Sequence, residues 1–246
     1  MNKQHKLPFI MENKELADIV AENLVHIKAV KIQPNNSFIL SNGWQAPVYC
    51  DTRKALSNPR LRAFLKSELS RLILERYPEV EVIAGLSTGS LVQAVLVADL
   101  LGLPFVYVRQ KPKDHGLENL IEGDIKPRQK VVVIEDIITT GANCLKAVDA
   151  LRRDGAEVLG AFCIFTYGFQ LSFEAFEAAK VELTTLCDFD TVLRHSVEIK
   201  HVSADDVREL TKWHQAPQDW SNVPKTIVSR TKAAPKAKST AKAKKK

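Results

Sequence analysis

The chain is poor in the residues that staple or anchor a protein. Its four cysteines, Cys50, Cys144, Cys163 and Cys187, lie far apart and form no C-x-x-C pair. That argues against a disulfide framework or a zinc site and makes a reducing cytoplasm the expected compartment. No apolar run approaches the ~20 residues that cross a bilayer, so no membrane partner is expected. The N-terminal MNKQHKLPFIMENKELA holds a five-residue apolar patch, too short for a signal-peptide core. A G-x-x-x-x-G-K-S/T phosphate loop is missing, as is any internal repeat.

What is present is ordinary globular composition, 45% hydrophobic and 26% charged over 246 residues. That suits one large α/β domain or two small ones. Charge is unevenly spread. Of the net +6, nine positive charges and no acid lie from Lys225 onward, leaving residues 1–224 at −3. The ending SRTKAAPKAKSTAKAKKK has almost no apolar bulk to offset its ordering entropy and reads as a disordered basic tail. The expected division is a folded unit over residues 1–222 and a Lys-rich tail over 223–246. A solvated extension is the plainer reading of that tail; weak nucleic-acid contact is the alternative.

Leu16, Ile19, Val20, Leu24 and Ile27 follow helical spacing. Short β-like pieces follow at 30–32, 38–40 and 48–50, separated by Pro34-Asn35-Asn36 and Ser41-Asn42-Gly43 turns. A helix starts at Asn58-Pro59, with Asn as cap and Pro at the first turn. Then strands and helices alternate: strand 80–84, loop 85–89, helix 90–101, strand 105–108, a long polar segment 109–130, strand 131–134, helix 141–153, strand 158–165, helix 172–179 and strand 181–187. A last helix runs from Ser203 to about His214. The alternation implies βαβ units, and unbroken apolar strands imply a parallel sheet covered on both faces.

The stretch VVVIEDIITTGAN, residues 131–143, poses a chemical problem. A strand followed by Thr139-Thr140-Gly141-Ala142-Asn143 at a helix start is a natural phosphate cradle of backbone N–H groups. Yet Glu135 and Asp136 stand beside it at the expected strand end. Acceptor-only carboxylates suit the vicinal hydroxyls of a sugar, or a metal bound to it. Phosphate at one end and diol at the other describes a ribose 5-phosphate.

This stretch resembles the phosphoribosyl-pyrophosphate (PRPP) signature of type I phosphoribosyltransferases. The resemblance implies PRPP contacts from Glu135 to Asn143, Ile137 and Ile138 included. The polar segment adds Arg109, Lys111, Lys113 and His115, which alone would pass for a solvated loop. It resembles the catalytic loop of orotate phosphoribosyltransferases, Arg-Lys-x-x-Lys-Asp-His-Gly, matched by Arg109, Lys113, Asp114, His115 and Gly116. Gln110 departs from the pattern, with Lys111 at the next position to supply the charge. In that family the loop reaches into the partner's site of a homodimer. Lys113, His115 and Asp136 are accordingly the expected catalytic residues, and Mg²⁺ the expected cofactor, held mainly through PRPP.

Gly85-Leu86-Ser87-Thr88-Gly89 resembles the family's pyrophosphate loop, which implicates Thr88 and Gly89, though a plain strand-to-helix turn reads the same. Residues 41–53 resemble its N-terminal hood over the base, which brings in Tyr49 and Arg53. Family members often carry an arginine for the orotate carboxylate where this chain has Tyr167. Thr139, Tyr167, Tyr49 and Arg53 are the expected orotate contacts. The resulting expectation is an α/β, type I phosphoribosyltransferase-like parallel sheet flanked by helices, with a small N-terminal hood and the basic tail. Its activity would be transfer of phosphoribosyl from PRPP to orotate. Another base, or a non-catalytic nucleic-acid-binding regulator of the same fold, is the alternative.

Overall fold

A computed structural model describes residues 9–11, 13–34, 37–110 and 120–220. In chain order the elements are β1 (Phe9–Met11), α1 (Lys14–His26), β2 (Val30–Ile32), β3 (Phe38–Ile39), β4 (Gln45–Ala46), β5 (Val48–Cys50), a 3-10 turn (Thr52–Ser57) and α2 (Pro59–Arg76). Then come β6 (Val82–Leu86), α3 (Leu91–Leu101), β7 (Phe105–Val108), β8 (Ile121–Glu122), β9 (Lys130–Ile138) and α4 (Ala142–Arg153). The chain continues with β10 (Glu157–Thr166), α5 (Gln170–Ala179), β11 (Leu183–Asp188), α6 (Phe189–Glu198) and α7 (Ala204–Gln215).

Seven strands form one sheet in the order β1-β11-β10-β9-β6-β7-β8. Every pairing is parallel except the edge pair β7–β8. Val131 to Ile134 at its centre are fully buried. Val132 and Ile134 join the core beneath α1, α2 and α3, while Val131 and Val133 join the core beneath α4. Two-sided cover is why these strands read as apolar runs rather than alternating patterns. The hood consists of two small antiparallel pairs, β2 with β5 and β3 with β4.

Helix starts follow their caps. Asn13 accepts from Glu15 N–H, Asn58 from Leu61 N–H ahead of Pro59, and Ser203 forms a capping box with Asp206. Several strand limits differ from the sequence expectation. β6 starts at Val82 and includes Gly85 and Leu86, which were expected in the loop. β9 runs through Ile138, so the two acids lie inside the strand and not beyond it. The reason is unequal neighbours: β6 pairs with β9 only as far as Gly85↔Ile134, whereas β10 continues to Thr166↔Ile138. Past Ile134 the acids are supported on one side and open on the other.

β1 and α6 were not anticipated. Three residues carry no periodicity, and β1 exists because β11 offers an edge 174 residues downstream, Phe9↔Leu183. α6 does have a local signal, Asp188 capping Thr191 N–H at 2.8 Å. β8 lies inside the long polar segment and makes the sheet mostly rather than wholly parallel. The four cysteines are free and buried. Among the described residues no helix is long and apolar enough to cross a membrane. The tail expected at 223–246 lies outside the described residues.

Candidate active site

A cavity of about 460 Å³ opens at the C-terminal ends of β6 and β9, beneath the hood. That is the edge where parallel α/β sheets bind ligands, and the volume suits a nucleotide-sized molecule. Its floor is Glu135 and Asp136, its far wall the 139–143 turn, and its roof Leu40 to Asn42 with Tyr49 to Asp51.

The geometry of the 139–143 turn suits an anion. Gly141 has φ +81°, a backbone that L side chains rarely adopt, and a Cβ there would stand 2.5 Å from the ring of buried Phe176. Glycine is therefore required both to reverse the chain and to let α5 pack beneath it. α4 then begins at Ala142 with its first-turn N–H groups directed at the cavity end, where its dipole favours negative charge. Thr140 Oγ1 accepts from Ala142 N–H at 3.4 Å.

The acids behave differently from one another. Asp136 Oδ1 accepts from Ile137 N–H at 3.0 Å, and Oδ2 accepts from the Thr52 hydroxyl at 3.3 Å. Thr52 opens the 3-10 turn after β5, so this bond ties the hood to the sheet. Among the described residues, Glu135 Oε2 is buried with no hydrogen-bond partner. Burial, then its bond with Asp136 and the charge of that neighbour, push the Glu135 carboxyl well above the ordinary carboxylate range. Such an acceptor is incomplete until a hydroxyl or a cation arrives. Gly89 faces the pair closely. A Cβ there would lie 2.6 Å from Asp136 Oδ2 and 2.7 Å from Oδ1. The Ser87–Thr88 peptide in the same loop is cis.

Under the hood, Tyr49 lies against Phe38 with ring centroids 5.6 Å apart. Asp51 pairs with Arg53 at 2.6 Å, and that bond holds the Asp51 carboxyl below its usual range. Arg53 remains more than half exposed at the cavity mouth.

Fourteen of the expected residues thus share the cavity: Thr88, Gly89, Glu135 to Asn143, Tyr49, Arg53 and Tyr167. Tyr167 does not present its hydroxyl to the space. The group accepts from Cys50 N–H at 3.2 Å and donates to Val48 O at 3.4 Å, and the side chain is buried. Arg109 is not part of the lining; its guanidinium pairs with Glu122 of β8 at 3.3 Å, beside a smaller pocket next door. Lys111, Lys113 and His115 lie outside the described residues. Thr52 and Gln110 carry no role in the sequence reading, yet the Thr52 hydroxyl meets Asp136 and Gln110 lines the cavity. Thr52 lies between Asp51 and Arg53 in the stretch that resembles the hood, and this middle hydroxyl is the one that reaches the sheet.

Residues 62–182 match the phosphoribosyl transferase domain family. The chain is 51% identical over 207 residues to an orotate phosphoribosyltransferase of Porphyromonas gingivalis, covering 84% of this chain and 99% of that one. Among solved structures it resembles an orotate phosphoribosyltransferase from Aeropyrum pernix, with TM-score 0.62, 28% identity and coverage of 75% and 99%. It also resembles the Mycobacterium tuberculosis orotate phosphoribosyltransferase in complex with PRPP, with TM-score 0.56, 25% identity and coverage of 72% and 98%.

Proposed function

As the chain belongs to the orotate phosphoribosyltransferase family, we propose how its cavity divides the work of that reaction. The enzyme transfers phosphoribosyl from PRPP to orotate, giving orotidine 5′-phosphate and pyrophosphate in pyrimidine biosynthesis. The observation that carries the division of labour is one cavity joining a phosphate turn, a carboxylate pair and an aromatic hood. Thr139 to Asn143 hold the 5′-phosphate. Glu135 and Asp136 accept from the ribose hydroxyls, and the unpartnered Glu135 Oε2 is supplied by that contact. Thr88 and Gly89 border the pyrophosphate.

Breaking the anomeric bond passes through an oxocarbenium-like state while charge grows on the leaving pyrophosphate. Lys111, Lys113 and His115 are assigned to that charge, and Arg109 joins them by leaving its ion pair with Glu122 beside the cavity. Mg²⁺ supplies further neutralisation when bound with PRPP. The carboxylate oxygens of Glu135 and Asp136 at the cavity floor are donors of the kind that would suit a Mg²⁺ arriving with PRPP. Orotate sits beneath Tyr49, its carboxylate facing Arg53, with Thr139 and Tyr167 at the boundary of the base site. Its ring nitrogen attacks as an anion, and Asp136 assists the proton balance there. Exclusion of water protects PRPP from hydrolysis. We assign the reaction to the cytoplasm.

The test incubates the protein with PRPP, Mg²⁺ and orotate, uracil or a purine, and follows which base disappears. Orotate should be consumed and pyrophosphate released in equal amounts. Preferential use of a purine would reject the base assignment.

A homodimer completes this reading. α3 exposes Val92, Val95 and Leu100 at 42%, 39% and 48% on the side that also carries exposed Asp99, apolar surface that a second copy would cover. If the 109–116 loop serves the partner's site, Lys113→Ala mixed with Asp136→Asn should regain activity. Under random exchange about half the dimers are mixed and each has one intact site, so roughly a quarter of wild-type sites return. No recovery after verified exchange would place the loop over its own subunit. Truncation after Asn222 should leave kcat and both KM values unchanged, and should remove any weak, salt-sensitive nucleic-acid binding. Loss of transferase activity on truncation would move the domain boundary.

A further inference from the structure

Tyr167 is a junction. Its N–H donates to Ile138 O at 2.9 Å, at the end of β9 where the phosphate turn begins. Its hydroxyl binds the backbone of β5 at Cys50 N–H and Val48 O, which is the strand carrying Tyr49. Its carbonyl lies 2.6 Å from His214 Nε2 on α7. A carbonyl oxygen only accepts, so this bond requires the proton on Nε2.

The packing repeats the connection. His214 stacks on Phe189 at 4.6 Å and sits 5.4 Å from Phe169. Phe169 in turn contacts Trp44 of the hood hairpin at 6.1 Å. Buried Trp213 closes edge-on against Tyr167 and Phe169. α7 lies beyond residues 62–182, the stretch that matches the transferase family. It reaches the hood by two routes, a hydrogen-bond chain through Tyr167 and a ring chain through Phe169. Neither route passes through the carboxylates.

We propose that His214 is a positioning residue for the base-binding half of the site, acting through Tyr167 to hold the hood over orotate. The proposal rests on the reading of the hood as the base site. Nothing in it requires His214 to touch substrate. Its bond keeps the Tyr167 backbone in place, and the Tyr167 hydroxyl then holds β5 at its height above β9. Losing the bond would let the hood shift relative to the phosphate turn, so the two substrates should respond unequally.

His214→Phe retains a ring against Phe189 and removes the donor. The KM for orotate should rise about tenfold while the KM for PRPP stays within about twofold, the mark of lost contact with one substrate. His214→Gln restores a donor at the Nε2 position and should recover most of the orotate KM. If the Phe variant does not fold, His214→Asn, whose amide stops short, replaces it in the same comparison. Tyr167→Phe removes only the hydroxyl and should show the same orotate-selective rise. Combined with His214→Phe it should fall short of the product of the two effects, as residues in one chain of contacts do. The relay is overturned by equal changes in both KM values, by no change, by a Gln variant as impaired as Phe, or by effects that multiply. Arg53→Ala separates the premise from the proposal. An unchanged orotate KM there rejects the hood as base site, whereas a raised KM with a silent His214→Phe rejects the relay alone.

Discussion

Asp136→Asn should lose about 10²-fold in kcat while keeping its fold, by comparison with misplaced reacting groups. The side chain borders the cavity, and its two oxygens accept from Ile137 N–H at 3.0 Å and from the Thr52 hydroxyl at 3.3 Å. Asparagine can keep one of these bonds but loses the charge and one acceptor. Circular dichroism and thermal melting should match wild type. Gly89→Ala tests the same point without altering any charge. Its new Cβ would stand 2.6 Å from Asp136 Oδ2, so the carboxylate must move. A loss of similar order is expected there. Wild-type turnover in folded Asp136→Asn would remove this residue from the mechanism, and wild-type turnover in Gly89→Ala would show that its position is not critical.

Gly141→Ala should combine destabilisation with loss of PRPP affinity. At φ +81° an L side chain is strained by about 1–2 kcal/mol. The added Cβ also meets Phe176 Cε2 at 2.5 Å, and overpacking of that kind costs about 1–3 kcal/mol. The sum, roughly 2–5 kcal/mol, would lower the melting temperature by about 4–20 °C for a chain of this size. Displacing the turn also moves the α4 N–H groups from the proposed 5′-phosphate site, so the KM for PRPP should rise more than that for orotate. Differential scanning calorimetry and initial rates would measure both. An unchanged Tm with unchanged PRPP KM would mean that the turn neither needs glycine nor meets the phosphate.

Local signals account for most of the sheet and for the glycine turn that starts α4. Apolar runs buried on both faces, helix caps at Asn58 and Ser203, and the sequence from Val131 to Asn143 each report their structure over a few residues. The turn after β9 was legible because a helix start and its glycine are consecutive in the chain. The limits of β9 were not, because the strand's length depends on β10 continuing where β6 stops. The same holds for the contacts that join the hood to the sheet. Thr52 to Asp136 spans 84 residues, Cys50 to Tyr167 spans 117, and Tyr167 to His214 spans 47. No periodicity connects such positions. A tyrosine where the family often has an arginine looked like a ligand contact, and only the packed chain showed its hydroxyl bound to the hood backbone. Hydrophobic pattern dictates which segments are buried, but the partner of a buried polar atom is settled by where distant segments meet, since each such atom must find its hydrogen bond within that packing.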